Sequence, residues 1–502
     1  MLTNKNRVIN LPRKKFYLTT AIPYVNSVPH IGHALEFVQT DVIARYHKLL
    51  GEGVFLTTGA DENSLKNVQA ATEVGITTQQ LCDKNAAIFK ELAIKIGLSF
   101  NSFLRSSIKK DHWPGVQRLW ELCKKSGDIY KKKYKGLYCI GCEVFYTNSE
   151  LDNGLCPDHK KKPELVEEEN YFFRLSKYQK KIEELIETDE LKVVPETRKN
   201  EVLSFVKSGL EDFSISRSVE RAKGWGVPVP GDDSQIIYVW FDALGIYLTA
   251  IGYGTDEKLF KKWWSADLHV IGKGIIRFHA VYWPAILLSA GLSLPKSILV
   301  HGYITVEGHK MSKSIGNVVD PLALLKKYPA DALRYFLIKE IPVADDGDFS
   351  EKAMVNRING ELVGDLGNLI YRVLSLAEKF KGKIEGKPEL DKKSNLKKIK
   401  ELMEEYKLNE ALEEIWGFIR ATNKYINENE PWKLHGKELA NVLYNLLESC
   451  KVISILIFPF LPFTSEKINE QLGVEASKLK ECKFRKFAGK IKKGEYLFKK
   501  IE

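Results

Sequence analysis

The first clear hydrophobic pattern is KFYLTTA, residues 15–21, whose β-branched and aromatic side chains follow one another as in a strand. Apolar residues then recur at helical spacing. Leu35, Val38, Val42, Tyr46 and Leu49 fall on one face of a helix expected over residues 31–50, with Gly51 as its stop. GVFLTT, residues 53–58, reads as a second strand. Strand, helix and strand in this order form a βαβ unit with a right-handed crossover. The pattern predicts an α/β fold with a doubly wound parallel sheet.

The pattern changes near Lys131, where KKKYKGLYCIGC is basic, then turn-rich. As far as about Gly226 the chain shows short strands, charged loops and one expected helix over residues 177–188. This stretch reads as an insertion. α/β character resumes with IIYVWF (236–241), read as a strand ending near Trp240. It continues with DLHVIG (267–272), a helix over 278–290, and SILVHGYITV (297–306). From about Glu351 the strand signals stop and amphipathic helical stretches run to about Leu472, which predicts a helical bundle. The lysine-rich tail from Lys486 reads most simply as solvated charge.

Composition adds bounds. At 502 residues the chain is too long for one core, so several domains are expected. Its 76 Lys and Arg against 65 Asp and Glu give a net charge of +11, which suits partners with phosphate backbones or simply solvates the surface. No run of ~18 apolar residues appears, so no membrane span is expected. The first residues, MLTNKNRVINLPRKKF, lack the apolar region of a signal peptide, and a cytoplasmic location is expected. The seven cysteines are an odd count, which speaks against a secreted disulfide framework.

Three short segments carry candidate chemistry. In PYVNSVPHIGHALEF the first strand gives way to the first helix through His30-Ile31-Gly32-His33. A helix N-terminus offers free N–H groups to an anion. Two histidines can add donors, and a glycine leaves room for a flat base against the backbone; a histidine pair in a surface turn is the plain alternative. HKMSKSIGN, residues 309–317, places two lysines in a polar loop after a strand. Such lysines can meet phosphate charge that develops in a transition state, although composition alone favours a solvated loop. Finally, Cys139-x2-Cys142 and Cys156-x2-His159 are two soft-ligand pairs separated by thirteen residues. They fit one closed, structural, tetrahedral zinc site.

HIGH at residues 30–33 followed by KMSKS at 310–314 resembles the class I aminoacyl-tRNA synthetases. Four further segments resemble the methionyl-tRNA synthetases among them: AIPYVNSVPHIGHA, YVWFDALGIY, IIRFHAVYWPAIL and INENEPWKL. The likeness spans residues 14–470. It implies a Rossmann-like catalytic domain in two halves, residues 1–125 and 227–305. Between them lies a zinc-bearing connective insertion, residues 126–226. The KMSKS loop and a connecting segment follow at 306–350, and a helical anticodon-binding domain at 351–502. It implies a methionine site of Ile22, Tyr24, Asp61, Trp240, Leu244, Tyr247, Ile275, Phe278 and His279. Aromatic walls suit a polarizable thioether, and a carboxylate such as Asp61 suits an α-ammonium. It implies an ATP site of His30, Gly32, His33, Gly272, Lys310, Met311 and Lys313, of which His30, Gly32, His33, Lys310 and Lys313 serve the chemistry. It implies that Asn368, Arg372 and Trp432 read the anticodon; the residues alone fit a cap, a surface charge and a core tryptophan equally well.

The implied partners are ATP with Mg²⁺, L-methionine, and the initiator and elongator methionine tRNAs. Two departures stand out. Asp-Glu-Asn-Ser at 61–64 replaces the usual Asp-Glu-His-Gly, so Asn63 removes a titratable group. Gly274 stands where an aspartate near the ribose is common. The appended tRNA-binding domain of many relatives is missing after the bundle, and a monomer is expected. A cysteinyl enzyme and a non-catalytic tRNA-binding relative are the alternatives. The first holds zinc at its substrate pocket, and intact HIGH and KMSKS oppose the second.

Overall fold

The computed structural model describes residues 14–139, 144–146, 148–157, 160–311 and 316–502. Cys142, His159 and Lys313 lie outside the described residues. The centre is a six-stranded sheet. Its strands in chain order are β1 (Lys15–Thr19), β2 (Gly53–Ala60), β3 (Ser102–Arg105), β4 (Lys192–Val194), β5 (Leu268–Gly272) and β6 (Ser297–His301). They lie side by side as β3-β2-β1-β5-β6-β4, and every pairing is parallel. Tyr17 and Leu18 point to opposite faces of β1 and both are fully buried, as a sheet covered on both sides requires. From β1 the chain turns to β2 on one side, and its later half fills in from β5 on the other. Strand order thus reverses between β1 and β5. At that reversal the carboxyl ends of the strands leave a crevice open to a ligand.

Helix α1 (Ile31–Leu49) follows β1 and lies against the sheet. It stops at Leu50, and Gly51 takes φ +86° as the periodicity predicts. The insertion is built on a long antiparallel pair, Ile129–Cys139 with Glu164–Phe173. It holds two helices, Gln179–Glu187 and Glu196–Lys207, where one was expected. Between them β4 joins the edge of the central sheet. Three strand residues are too few to register as a period.

Two further expectations are corrected. IIYVWF is not a strand of the central sheet. Asp232–Ile237 pairs antiparallel with Ser216–Ser218, and a helix, Val239–Thr249, begins at once. Trp240 therefore stands in the first turn of a buried helix rather than at a strand end. A short apolar run cannot be told from a buried helix by periodicity. SILVHGYITV divides into β6 and a separate strand, Ile304–Val306, which pairs with Gly347–Phe349.

The helical region begins at Glu351 as expected. Its helix Gly436–Ile457 is long and apolar enough to span a membrane by length and composition, but 89% of its most apolar stretch is buried inside the fold. It is a core helix, packed against the helices Leu408–Asn429 and Pro462–Leu472. One fully buried side chain joins this bundle to the half built on the sheet. Arg334 donates from Nε to Phe460 O (2.8 Å), from Nη2 to Pro459 O (2.9 Å) and from Nη1 to Ile96 O (3.1 Å). Its Nη2 also pairs with Asp41 of α1 at 2.8 Å. Burial alone would raise the Asp41 carboxyl, but the Arg334 and Arg45 guanidiniums outweigh it and hold it below its usual range.

Candidate active site

A cavity of 590 Å³ opens at the strand-order reversal. Its walls come from three loops at the carboxyl ends of neighbouring strands: residues 21–33 after β1, 272–275 after β5 and 301–304 after β6. Leu35, Glu36 and Phe37 of α1, with Trp240, Lys310, Met311 and Val318, complete the lining.

The HIGH segment is a helix cap made of imidazoles. His30 is the N-cap of α1, and its Nδ1 accepts from Gly32 N at 3.1 Å. His33 Nδ1 accepts in turn from His30 N at 3.1 Å. This is the reciprocal logic of a capping box, with rings in place of a hydroxyl and a carboxylate. Two orphan N–H groups of the first turn are satisfied. Because both Nδ1 atoms accept, the ring proton of each neutral histidine sits on Nε2. Burial, with the neighbouring His30 and His301 adding to it, drives His33 well below its ordinary pKa, so His33 stays neutral. Gly32 is needed for the cap itself. A Cβ there would stand 2.9 Å from His30 Cε1, inside the folded-back ring. The room expected for a base is first of all room for His30.

Two residues missed in the sequence brace this loop. Glu36 Oε1 accepts from Ala21 N at 2.8 Å, and Glu36 Oε2 meets His301 Nε2 at 3.0 Å. The carboxylate ties the end of β1 to the end of β6 from within α1. The signal was slight: His301 ends an apolar strand, but Glu36 is one of several polar residues on α1.

At the other end the walls are aromatic. Trp240 stacks on Phe278 with centroids 3.7 Å apart and planes 5° apart, and Tyr24 meets Trp240 edge-on at 6.2 Å. Behind them Tyr247 and His279 are buried. His279 Nδ1 donates to Ile275 O at 2.9 Å, so its Nε2 accepts from the Tyr247 hydroxyl at 2.7 Å. Burial lowers His279 to about 4, partly offset by that bond to Ile275 O, and keeps it neutral. Leu244 is 2% exposed beside them. Ile22 and Ile275 line the cavity. Asp61 is 2% exposed at the end of β2, its N–H donating to Pro23 O at 2.9 Å, which holds it next to Tyr24.

Both departures from the usual pattern have local explanations. Asn63 Nδ2 donates to Asp242 Oδ2 (2.7 Å) and to Ser106 O (3.1 Å). Asp242 Oδ1 meets His112 Nε2 at 2.6 Å, and both side chains are fully buried. Asn63 thus closes a buried polar network. At Gly274 a Cβ would lie 2.2 Å from the Tyr303 hydroxyl, so Tyr303 occupies the space a side chain would take.

This geometry has clear relatives. The model for class I tRNA synthetases (M) matches residues 16–162 and 149–374, and the model for the anticodon-binding domain of tRNA ligase matches 389–495. The methionine–tRNA ligase of Thermotoga maritima is 42% identical over 511 aligned residues, covering 97% of this chain and 80% of that relative. This chain belongs to the methionine–tRNA ligase family. The ligase of Brucella suis biovar 1 is also 42% identical, over 93% of both chains. Among solved structures, a Mycobacterium tuberculosis methionyl-tRNA synthetase bound by methionyl-adenylate superposes with a TM-score of 0.90 at 37% identity, covering 97% of this chain and 100% of that one.

As a family member the chain is an enzyme, an aminoacyl-tRNA synthetase that acts as a methionine–tRNA ligase. Three side chains expected to read the anticodon lie in the helical part. Asn368 is exposed within a continuous helix and caps nothing, since its φ and ψ are −64° and −41°. Arg372 is one turn on and donates from Nη2 to Asn427 Oδ1 at 2.8 Å. Trp432 is 53% exposed, so it is not a core residue. In the insertion, Cys139 and Cys156 are buried thiols. Cys156 sits in a tight turn closed by Lys160 N to Cys156 O (2.8 Å) and Cys156 N to Lys161 O (2.9 Å). Two buried thiols are the donor type a structural zinc site takes. Among the described residues no group of three metal-ligating side chains is present.

Proposed function

We propose that this ligase works in two steps inside the single cavity. The methionine carboxylate attacks the α-phosphate of ATP, giving methionyl-adenylate and pyrophosphate. The 2′-hydroxyl of the terminal ribose of a methionine tRNA, initiator or elongator, then attacks the acyl carbon, forming the ester as the acyl–phosphate bond breaks and AMP leaves. The observation that carries this reading is the two-ended cavity: N–H-bearing imidazoles at a helix N-terminus on one side, and on the other Trp240 with Tyr24, the latter bridged to the buried Asp61.

Each residue has a role in this reading. Nε2–H of His30 and of His33 faces the ATP phosphates, reinforced by the N-terminal end of the α1 dipole. Gly32 and Gly272 bring backbone close to the nucleotide, and Met311 packs beside Gly32. Lys310 and Lys313 meet charge on the pyrophosphate side. Asp61 pairs with the substrate ammonium, and Ile22, Tyr24, Trp240, Leu244, Tyr247, Ile275, Phe278 and His279 form or back the thioether pocket. The substrate brings its own nucleophile, so the protein contributes position and fixed charge. Mg²⁺ arrives on ATP: Glu36, the one carboxylate lining the cavity among the described residues, is already bonded to Ala21 N and His301. Zn²⁺, held by Cys139, Cys142, Cys156 and His159, would supply a structural crosslink for the insertion and no step of the reaction.

The same reading assigns residues 1–125 and 227–305 to the catalytic domain, 126–226 to the insertion, 306–350 to the KMSKS segment and 351–502 to anticodon binding. It takes the working form as a cytoplasmic monomer. The test is methionine-dependent ATP–pyrophosphate exchange, followed by charging of a methionine tRNA transcript. Exchange with methionine and with no other standard amino acid is expected; no exchange with methionine overturns the proposal.

A further inference from the structure

The lysine-rich tail is folded, and it places an aromatic pair on the helix face that carries Asn368 and Arg372. From Lys483 to Glu502 the chain has eight Lys or Arg and two Glu. Leu497 and Phe498 are buried in the core of the bundle. Ile501 exchanges two hydrogen bonds with the Asn359 side chain, both 2.8 Å, and Lys492 N donates to Gln471 O at 2.8 Å. These contacts hold the tail without help from Tyr496, which points outward and is 53% exposed. One face of its ring stacks on Tyr371, with centroids 4.0 Å apart and planes 15° apart. Lys493 Nζ lies 4.0 Å from the Tyr371 ring centroid.

Tyr371 neighbours Arg372 in the sequence and stands one turn from Asn368, on the same exposed side of the helix Asn368–Lys379. Tyr496 is therefore carried on Tyr371, a helical neighbour of those two side chains, and stays 53% exposed. An exposed, prestacked aromatic pair beside a lysine cluster has the two elements that bind unpaired nucleotides: a π platform for a base and cations for the backbone.

We infer that Tyr496, backed by Tyr371 and Lys493, is a further contact for the anticodon loop of tRNA, stacking on a loop base while Lys493 meets a loop phosphate. This rests on the reading of the helical region as the anticodon-binding domain, and it adds residues beyond Asn368, Arg372 and Trp432. Prestacking on Tyr371 fixes the ring before RNA arrives, so little rotamer freedom is lost on binding.

The experiment uses the full chain and a short RNA hairpin carrying the CAU loop, with affinity read by fluorescence anisotropy and stability by thermal melting. Tyr496→Leu keeps an apolar side chain but removes the π face. It should weaken hairpin binding about tenfold with an unchanged melting midpoint, whereas Tyr496→Trp should retain wild-type affinity. Lys493→Glu should weaken binding and flatten the salt dependence by about one unit of log–log slope. Wild-type affinity in both Tyr496→Leu and Lys493→Glu overturns the inference, as does lost affinity accompanied by a lowered melting midpoint, which would assign the ring to holding the tail. The underlying reading is judged separately. If the wild-type chain does not prefer the CAU hairpin to one with a scrambled loop, and Trp432→Ala changes nothing, the anticodon assignment itself fails.

Discussion

The two ends of the cavity are built on opposite principles. The end proposed for the nucleotide is polar and made of backbone: a helix terminus, imidazoles that spend one nitrogen each on capping, and loops crossing at glycines. The end proposed for methionine is a packed wall in which Trp240 and Phe278 stack at 3.7 Å and a tyrosine–histidine bond is buried behind them. On the proposed reading one end meets charge through directed N–H groups, where distance matters steeply. The other recognises shape and polarizability, where each lost contact costs little. Damage at the first end should therefore fall on rate, and damage at the second on methionine affinity.

The sharpest way to separate the two is at His33. His33→Asn can keep an acceptor for His30 N but loses the Nε2 donor. It should lower the ATP–pyrophosphate exchange rate about 10²–10³-fold with little change in thermal stability. His33→Ala should lose both, because the cap goes as well. Equal stability loss in the two variants would dissolve the division between capping and catalysis.

The next effect is acid sensitivity of the methionine end. His279 sits at about 4 in the fold against an ordinary value near 6.5. Between those values the unfolded chain binds the extra proton, so stability is complete above pH 6.5 and drains as pH falls toward 4. The share from this one ring is at most about 3 kcal/mol. Urea unfolding at pH 7 and pH 5 should show the loss, and His279→Gln should reduce it. His33 and His269, also pushed well down by burial, have the same sign and leave a residual slope.

Removing the stacked wall is milder. Trp240→Ala should raise the KM for methionine roughly 10–100-fold while the KM for ATP holds steady. A matching rise for ATP would mean that the two ends are not separate. The smallest change is expected at Gly274→Asp. The new side chain must push the Tyr303 hydroxyl aside, which a flexible ring tip can do, and the KM for ATP should rise only a few-fold. Adding Tyr303→Ala should relieve that rise in steady-state kinetics.

How much of this was visible in the sequence depended on what kind of signal each residue leaves. β1, α1 and β2 were legible because their periods are long and regular. The separate antiparallel strand and helix in IIYVWF were not, since an apolar run of that length suits a strand and a buried helix alike. β4 was invisible because three residues carry no period. His30 and His33 were found as a motif, but their use as a cap was not, because hydrogen bonds back to the helix's own backbone leave no separate trace in spacing. Glu36 and His301 were missed for a different reason. They are distant in sequence and meet only once the sheet is assembled, so nothing along the chain pairs them. The exposed position of Trp432 likewise came only from the fold, since a tryptophan near a Pro suits a core equally well.

Arg334 has a consequence for how the molecule comes apart. Its guanidinium is fully buried and bonded at once to α1, to the end of the helix before β3 and to the bundle, so the two halves cannot part without breaking all of these contacts together. Hydrogen bonds to a charged group are worth about 1.5–3 kcal/mol each, so losing them together takes away a large part of a domain's whole stability. The catalytic half and the bundle should therefore melt together. Calorimetry of the intact chain should show one cooperative transition, and Arg334→Met should split it in two, with the bundle and the sheet each unfolding at its own temperature.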